Sequence, residues 1–226
     1  MSRRARLVVL ACGALGFGTL FVLGVLRIPD FGGDFHPYAD RAVSAAVGQL
    51  TPNVVSSLNF DQRVFDTIGE ELILFAAALG AVVLLRTVGT EEEDAAGRHS
   101  YGPADVVDAL RISGYVLLPV TLLAGVYIVA HGHQSPGGGF QGGVILGTAI
   151  HLIYLAGDYP ALARLRPIPV FEVGEAVAAG AFVILGLSAA GLIAPMNAAV
   201  GIEVGCALVL VLAKFFEQAL LVREQP

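Results

Sequence analysis

Acidic side chains lie within apolar stretches of this sequence that are long enough to cross a membrane. Glu70 and Glu71 open one such stretch, and Glu203 lies inside the last. A carboxyl group in a bilayer is costly, so it usually faces a protein partner or a water-filled path. Carboxyl groups shielded from water can hold and release protons, which a proton relay requires. These residues therefore predict a part in ion movement.

Glu70 is the stronger candidate of the two adjacent acids. It follows Asp66 and Thr67, either of which can cap the start of the helix that carries it. Glu71 is turned from Glu70 by about 100° on a helix, so the two carboxyl groups cannot point the same way. We expect one of the two to carry the proton, with Asp66 in the same outer group of ion-pathway candidates.

Glu203 and Lys214 are eleven residues apart, which corresponds to about three turns and roughly 16 Å of helix. The two side chains therefore share a helix face and are candidates for polar steps across the membrane. Two simpler interpretations remain open. Lys214 can pair with Glu217 near the inner surface, and Glu203 can make a hydrogen bond between helices.

A glycine-rich segment, 131–143, predicts a tight reversal between two helices. Three of its glycines match the G-x-G-x-x-G spelling of dinucleotide-binding sites, but that fingerprint must follow a strand and this segment follows an apolar helix. Proline stops a helix, and glycine permits positive φ angles. The residues of this glycine-turn motif are His133, Pro136, Gly137, Gly138, Gly139, Phe140, Gly142 and Gly143.

Beyond the turn, small residues recur at helical spacing. Gly139, Gly143 and Gly147 are four residues apart, so they lie on one helix face and let a neighbouring helix approach closely. His151 continues the series. We therefore expect His151 to lie on the packed face, and we count it among the ion-pathway candidates.

Catalytic and metal-binding patterns are weak in this sequence. His131 and His133 are two residues apart, so on a helix they point in different directions. Cys12 and Cys206 lie in apolar runs without the spacing of cluster ligands. Serine, cysteine and aspartate nucleophiles with a paired base are not recognisable either. The sequence predicts no catalytic residue, cofactor or metal, and a protein that is not an enzyme.

Composition shows what must position these side chains. The chain is 56% hydrophobic and 14% charged, whereas a soluble domain has about 25% charged residues. Its net charge of −6 disfavours a nucleic-acid partner. Apolar runs of about 20 residues predict an all-α integral membrane protein with six transmembrane helices. The runs lie near residues 7–26, 69–88, 112–131, 140–157, 173–193 and 199–222.

Charged residues between these runs predict orientation and modules. Most arginines fall on the cytoplasmic side if both termini are cytoplasmic. The outer loop 27–68 is expected to form a helix-loop-helix segment, with a short helix after Asp40 and a short extended piece at 53–60. An acidic cytoplasmic linker, 91–104, separates the predicted modules 1–90 and 105–226.

Two motifs resemble one family of transporters. The run HGHQSPGGGFQGG, from His131 to Gly143, is similar to the signature of the B-type subunit of multisubunit Na⁺/H⁺ antiporters of the Mrp type, also called Mnh or Sha. This resemblance covers roughly 105–226 as a four-span module. The run NFDQRVFDTIGE, from Asn59 to Glu70, resembles a segment found either at the C-terminal end of the large A-type subunit or as a separate small subunit in related complexes. The resemblance thus implies a two-span piece fused to a B-type subunit.

The resemblance implies a multi-pass subunit of a complex in the cytoplasmic membrane of a prokaryote. Its partners would be large A and D type subunits, small C, E, F and G type subunits and membrane lipids. The complex would exchange Na⁺ for H⁺, as a secondary transporter. The glutamate that matches Glu70 is implicated in the ion pathway of this family, and isoleucine commonly stands where this chain has Glu71.

Two alternatives remain open for the whole chain. Related membrane-bound hydrogenases use a similar glycine-turn subunit in their ion-pumping arm, which would place the chain in a redox complex. A purely structural scaffold subunit, in which the acids only support packing, is the other alternative.

Overall fold

The computed structural model describes residues 3–28, 33, 36–85, 106–157, 159–188 and 191–223. Within these ranges all regular secondary structure is helical. The predicted acidic linker 91–104 and the side chain of Glu217 lie outside the described part of the chain.

The described helices follow one another in a simple order. They are α1 (Arg3–Val25), α2 (Pro37–Gly48), α3 (Val54–Ser57), a π-helical turn (Leu58–Gln62), α4 (Val64–Leu84), α5 (Asp108–His131), α6 (Gly139–Leu155), α7 (Tyr159–Leu165), α8 (Ile168–Leu187) and α9 (Ile193–Arg223).

Five of these helices are apolar and long enough to cross a bilayer. They are α1, α4, α5, α8 and the Ile193–Phe216 part of α9. The remaining predicted span, α6, has 17 residues, and its length of about 25 Å is less than the roughly 30 Å of a bilayer core. The protein is therefore a multi-pass membrane protein, and its described residues are all-helical, with five candidate spans and one shorter apolar helix.

The chain divides into two compact units at Asp40. The first unit contains α1, and none of the residues of α1 is buried. The second unit runs from Arg41 onward and contains the helical bundle that holds the buried acids.

Helix α9 is the centre of the second unit. It packs extensively against α6 and α8, and it also contacts α4 and α5. In its most apolar 18-residue stretch 56% of the residues are buried, compared with 11% to 22% in α4, α5 and α8. On average, a residue in this stretch of α9 is therefore more enclosed than one in these three neighbours.

An apolar cluster joins α4, α8 and α9 near the start of α9. The rings of Phe60 and Phe182 meet edge to face, with centroids 5.8 Å apart. Ile193, Met196 and Val200 complete this cluster from α9. Close packing of these apolar side chains holds the three helices together.

Helix α2 confirms the predicted short helix, but it begins at Pro37, so that Asp40 lies in its first turn. Ala42 and Ala46 are buried. Gln62 Nε2 donates a hydrogen bond to the carbonyl oxygen of Ala42 at 3.3 Å. This bond ties α2 to the π-helical turn that precedes α4.

The predicted extended piece at 53–60 is wrong, because this segment is helical. Asn53 Oδ1 accepts hydrogen bonds from the backbone N–H groups of Val55 and Ser56 and so caps α3. The chain then continues into the π-helical turn Leu58–Gln62. A helix of four residues is too short to show apolar periodicity, which is why the sequence pattern did not indicate it.

The predicted cap of α4 is also wrong. The helix begins at Val64, ahead of both proposed cap residues. Asp66 lies in the first turn and accepts a hydrogen bond from Arg63 Nε at 2.6 Å. Thr67 Oγ1 donates to the carbonyl oxygen of Asn59 at 2.9 Å. The π-helical turn leads directly into α4, so its start needs no separate side-chain cap.

Candidate ion site

Two buried carboxyl groups meet between α4 and α9. Glu71 is 1% exposed and Glu203 is 0% exposed. The two carboxyl groups are close enough to influence each other. Within the described residues no donor reaches any of their four oxygens, and two ionised carboxylates offer only acceptors. A hydrogen bond between them therefore requires a proton on one of the two groups.

The buried face of α4 determines which acid enters the bundle. Thr67, Glu71 and Ala78 are the buried residues of α4, and their spacing puts them on one helix face. Glu70 is exposed, although it is close enough to Glu71 to act on it electrostatically. Glu71 thus points into the bundle and Glu70 points away from it.

Gly139, Gly143 and Gly147 form a groove along α6, which we call the glycine groove, and α9 packs closely into it on either side of Glu203. A Cβ atom added at Gly143 would lie 2.7 Å from the Cβ of Val204, and one added at Gly147 would lie 2.9 Å from Cδ2 of Leu208. These separations are shorter than real Cβ contacts, so only glycine fits. The predicted close approach on this face is confirmed.

The segment between α5 and α6, residues 132–138, is a tight reversal, as predicted; we call it the glycine turn. Gly137 and Gly138 have φ angles of 132° and 147°, which L side chains rarely adopt. The backbone N–H of Gly139 donates to Asn197 Oδ1 at 2.9 Å. Asn197 is fully buried in α9, so α9 anchors the first residue of α6.

The other motif residues surround this reversal. Pro136 is exposed within the turn. Phe140 packs against the apolar cluster of α4, α8 and α9. Gly142 faces α5, where an added Cβ would lie 3.0 Å from the carbonyl oxygen of Gly125. The glycine-turn motif therefore packs α6 against both of its neighbours.

Polar side chains from the segment before α4 hold the glycine turn. Asn53 Nδ2 donates to the carbonyl oxygens of Gly132 at 2.6 Å and Ser135 at 2.8 Å. Ser56 Oγ donates to the same Gly132 oxygen at 2.5 Å. The backbone N–H of Asn53 donates to the carbonyl oxygen of His133 at 3.3 Å. The sequence analysis did not identify Asn53 and Ser56, because their partners are about 80 residues away.

Glu175 on α8 is a third buried acid that the set of predicted site residues did not include. It is 4% exposed, and its Oε1 atom receives no hydrogen bond from the described residues. It interacts electrostatically with Glu203 and with the exposed Glu172. Its spacing from Ala178 and Phe182, which are also buried, was a signal in the sequence that the residue faces the bundle.

Besides Glu70, three other predicted ion-pathway residues do not join the acid pair. Asp66 is exposed and paired with Arg63. Lys214 is half-buried, about three turns along α9 from Glu203. His151 is buried on α6, as expected, with its ring centroid 5.6 Å from that of Phe216.

The histidines have separate surroundings. His151 Nδ1 is 2.7 Å from the carbonyl oxygen of Gly147, and its Nε2 atom has no partner among the described residues. The ring of His131 stacks on Tyr127 at 4.2 Å, and His133 Nε2 lies 3.0 Å from Gln134 Nε2. Across the described part of the chain, histidine, cysteine and acidic residues do not form a group of three that could hold a metal ion.

Comparison with known proteins relates the second half of the chain to antiporter subunits. Residues 109–213 match the family described as "Domain related to MnhB subunit of Na+/H+ antiporter". The chain is 27% identical over 197 residues to the probable K(+)/H(+) antiporter A/B subunit of Rhizobium meliloti, covering 78% of this chain and 19% of that protein. The chain spans less than half the length of the curated relatives that it matches.

Two solved structures have a similar fold. One is the archaeal membrane-bound sulfane sulfur reductase, a respiratory membrane complex, with a TM-score of 0.65 and 27% identity over 93% of this chain and 98% of the matched chain. The other is the Mrp complex of Dietzia sp. DQ12-45-1b, with a TM-score of 0.66 and 21% identity over 95% of this chain and 26% of the matched chain. The fold therefore extends across both predicted modules.

Proposed function

We propose that this chain is a subunit of a monovalent cation/proton antiporter complex in the cytoplasmic membrane of a prokaryote. The buried pair of Glu71 and Glu203 carries the proposal, because it supplies a proton-binding group inside the membrane. The MnhB-related domain contributes Glu203. The segment that resembles the large A-type subunit contributes Glu71.

The proposed chemistry is proton exchange at this pair. Like charges this close cannot both be ionised, so one proton is shared between the two groups. A second proton makes both groups neutral, and its release restores the shared state. Na⁺ movement and the remaining proton steps belong to the partner subunits, which we propose to be of the large A and D types and the small C, E, F and G types.

The proposed topology has six membrane crossings with both termini in the cytoplasm. The distribution of arginines supports it. The short helix α6 counts as a crossing in this proposal, because the glycine turn that precedes it is held within protein by Asn53, Ser56 and Asn197. The modules remain 1–90 and 105–226, joined by the linker 91–104.

Glu70 has a different proposed place from Glu71. It is exposed on α4, and a carboxyl group at such a position inside a membrane needs a polar partner. We propose that Glu70 faces a neighbouring subunit, so that it belongs to the ion pathway between subunits rather than to the buried pair.

The test is cation-driven proton movement in everted membrane vesicles that contain the assembled complex. Glu71→Gln and Glu203→Gln should each lower exchange about tenfold or more, because a glutamine holds the geometry but cannot transfer the proton. The double variant should be no slower than either single variant, because the two groups act as one site. The effects of Glu70→Gln and Glu203→Gln should instead multiply.

Asp108→Asn is the matched control, because Asp108 is an exposed acid paired with Arg111 at the start of α5. It should exchange like the wild type. Wild-type exchange by both Glu71→Gln and Glu203→Gln in assembled complexes would refute the proposal.

A second candidate function is a place in a respiratory membrane complex. The match to the sulfane sulfur reductase favours it, because this chain covers 98% of the matched chain at 27% identity. Copurification distinguishes the two. Redox subunits that carry iron–sulfur clusters would support the respiratory complex, whereas membrane subunits without them would support the antiporter.

A further inference from the structure

We infer that Glu175 relays protons between the Glu71–Glu203 pair and the end of the bundle opposite the glycine turn, with Glu172 as the last carboxyl group of the path. This inference rests on the proposed function, because it extends the path from the same acid pair. Its evidence is the burial and the order of four carboxyl groups on three helices.

The four acids lie at successive depths in the bundle. A Cβ atom added at Gly186, beside the last residue of α8, would lie 3.5 Å from Met196 Cε in the first turn of α9, and Asn197 of α9 holds Gly139. The end of α8 and the start of α9 therefore lie at the same level near the glycine turn. From that level, Glu203 is about 15 Å deep, Glu175 about 18 Å and Glu172 about 22 Å, at 1.5 Å of rise per residue.

Helix α4 begins at the same end of the bundle. A Cβ atom added at Gly186 would lie 2.9 Å from Val64 Cγ2 and 3.2 Å from Ile68 Cδ1, so the first turns of α4 flank the last turn of α8. Glu71 is seven residues into α4, which places it about 10 Å from the same end. The order from the turn to the opposite end is therefore Glu71, Glu203, Glu175 and Glu172.

Buried carboxyl oxygens without a hydrogen-bond partner are found both in the pair and at Glu175. Both oxygens of Glu71 and Glu203, and Oε1 of Glu175, are buried without a hydrogen bond from the described residues. A packed protein interior rarely leaves such atoms without a partner, unless a water molecule or an exchanging proton reaches them. Glu175 follows Gly174, which packs against Cys206 one turn beyond Glu203, so the third acid continues the path from the pair.

Helices α8 and α9 pack closely together at the level of Glu175. A Cβ atom added at Gly174 would lie 3.0 Å from Cys206 Sγ, and Cys206 interacts electrostatically with Glu175. Cys206 is one turn beyond Glu203 on α9. Glu203 and Cys206 on α9, and the exposed Glu172 on α8, are thus titratable neighbours of Glu175.

Each step balances in protons and charge. A proton arriving at the pair makes both groups neutral, and one proton then passes to the Glu175 carboxylate, directly or through a water molecule. The pair returns to its singly protonated state. Glu175 releases its proton towards Glu172 and the water beyond it, and no electron transfer is involved.

The first test compares Glu175→Gln with the wild type in everted vesicles. We expect exchange to fall about tenfold or more while the complex still assembles, because the amide cannot pass on a proton. Glu175→Asp should restore part of the activity. Asp108→Asn is again the control.

The second test follows the pair itself by infrared spectroscopy of the purified complex. The wild type should show a protonated carboxyl band that Glu71→Gln or Glu203→Gln removes. In Glu175→Gln this band should remain, but its hydrogen–deuterium exchange should slow by about tenfold, because the relay is broken.

The outcomes separate the two proposals. Loss of exchange in Glu71→Gln with wild-type exchange and wild-type deuteration in Glu175→Gln would overturn the relay and leave the proposed function intact. Wild-type exchange in all three glutamine variants would overturn both.

Discussion

At the scale of single residues, the distinction between Glu70 and Glu71 is set by one helical step. The buried face of α4 runs through Thr67, Glu71 and Ala78, so a rotation of about 100° decides which carboxyl group meets Glu203. The consequence is that the acid favoured by the sequence motif is exposed, and its neighbour lies in the bundle. Both stay ion-pathway predictions, with different proposed partners.

Truncation of the Glu71 side chain should lower the stability of the protein as well as its transport activity. In Glu71→Ala, the carboxyl group of Glu203 loses its hydrogen-bonding neighbour and faces a cavity. We expect the free energy of unfolding in detergent to fall by about 1–3 kcal/mol. Glu71→Gln should stay close to the wild type, because its amide can donate to Glu203. Equal melting temperatures for the alanine and glutamine variants would contradict the pairing.

At the scale of elements, the glycine groove of α6 determines how closely α9 can approach. Asn197 accepts a hydrogen bond from the backbone N–H of Gly139 at the start of the groove. Val204 lies against Gly143, which is one turn further along α6. Glu203 is adjacent to Val204 in sequence, so its direction depends on this contact. The groove therefore positions the acid pair without touching it.

Alanine substitutions at two helical glycines should separate packing from helix propensity. Gly143→Ala puts a Cβ 2.7 Å from that of Val204, so we expect the purified protein to lose about 1–3 kcal/mol of stability. Gly180→Ala on α8 meets nothing within 4 Å and should be neutral or stabilising by up to about 1 kcal/mol. Thermal unfolding in one detergent measures both. Similar losses in the two variants would count against the groove.

At the scale of the whole molecule, hydrogen bonds cross the predicted boundary between the modules. Asn53 and Ser56 come from the segment that resembles the large A-type subunit, and the carbonyl groups of Gly132 and Ser135 come from the glycine turn. The acid pair crosses the same boundary. Residues on both sides of the predicted linker 91–104 thus form one site within the second unit, although the linker itself lies outside the described residues.

Reporter fusions test the proposed topology. Alkaline phosphatase is active only outside the cytoplasm, so a fusion after Gly48 should be active and a fusion after Pro226 inactive. A fluorescent protein that folds in the cytoplasm should show the opposite pattern at the two positions. An active phosphatase at the C-terminus would contradict an even number of crossings.

The sequence by itself determined the helical membrane class, the approximate positions of the five candidate spans and the glycine turn. These features depend on local properties: apolar run length and the positive φ angles of Gly137 and Gly138. The resemblance of the glycine-turn motif to the B-type antiporter subunit is matched by the MnhB-related family over 109–213. Each of these inferences needs only residues that are close along the chain.

Only the tertiary structure decided which polar groups meet. Glu71 and Glu203, which form the acid pair, are 132 positions apart in the sequence. Asn53 and Gly132, which are joined by a hydrogen bond, are 79 positions apart. Periodicity shows that a residue lies on a buried face, but it does not show which helix covers that face. The choice depends on how closely helices pack, and here the glycines of α6 set that distance for α9.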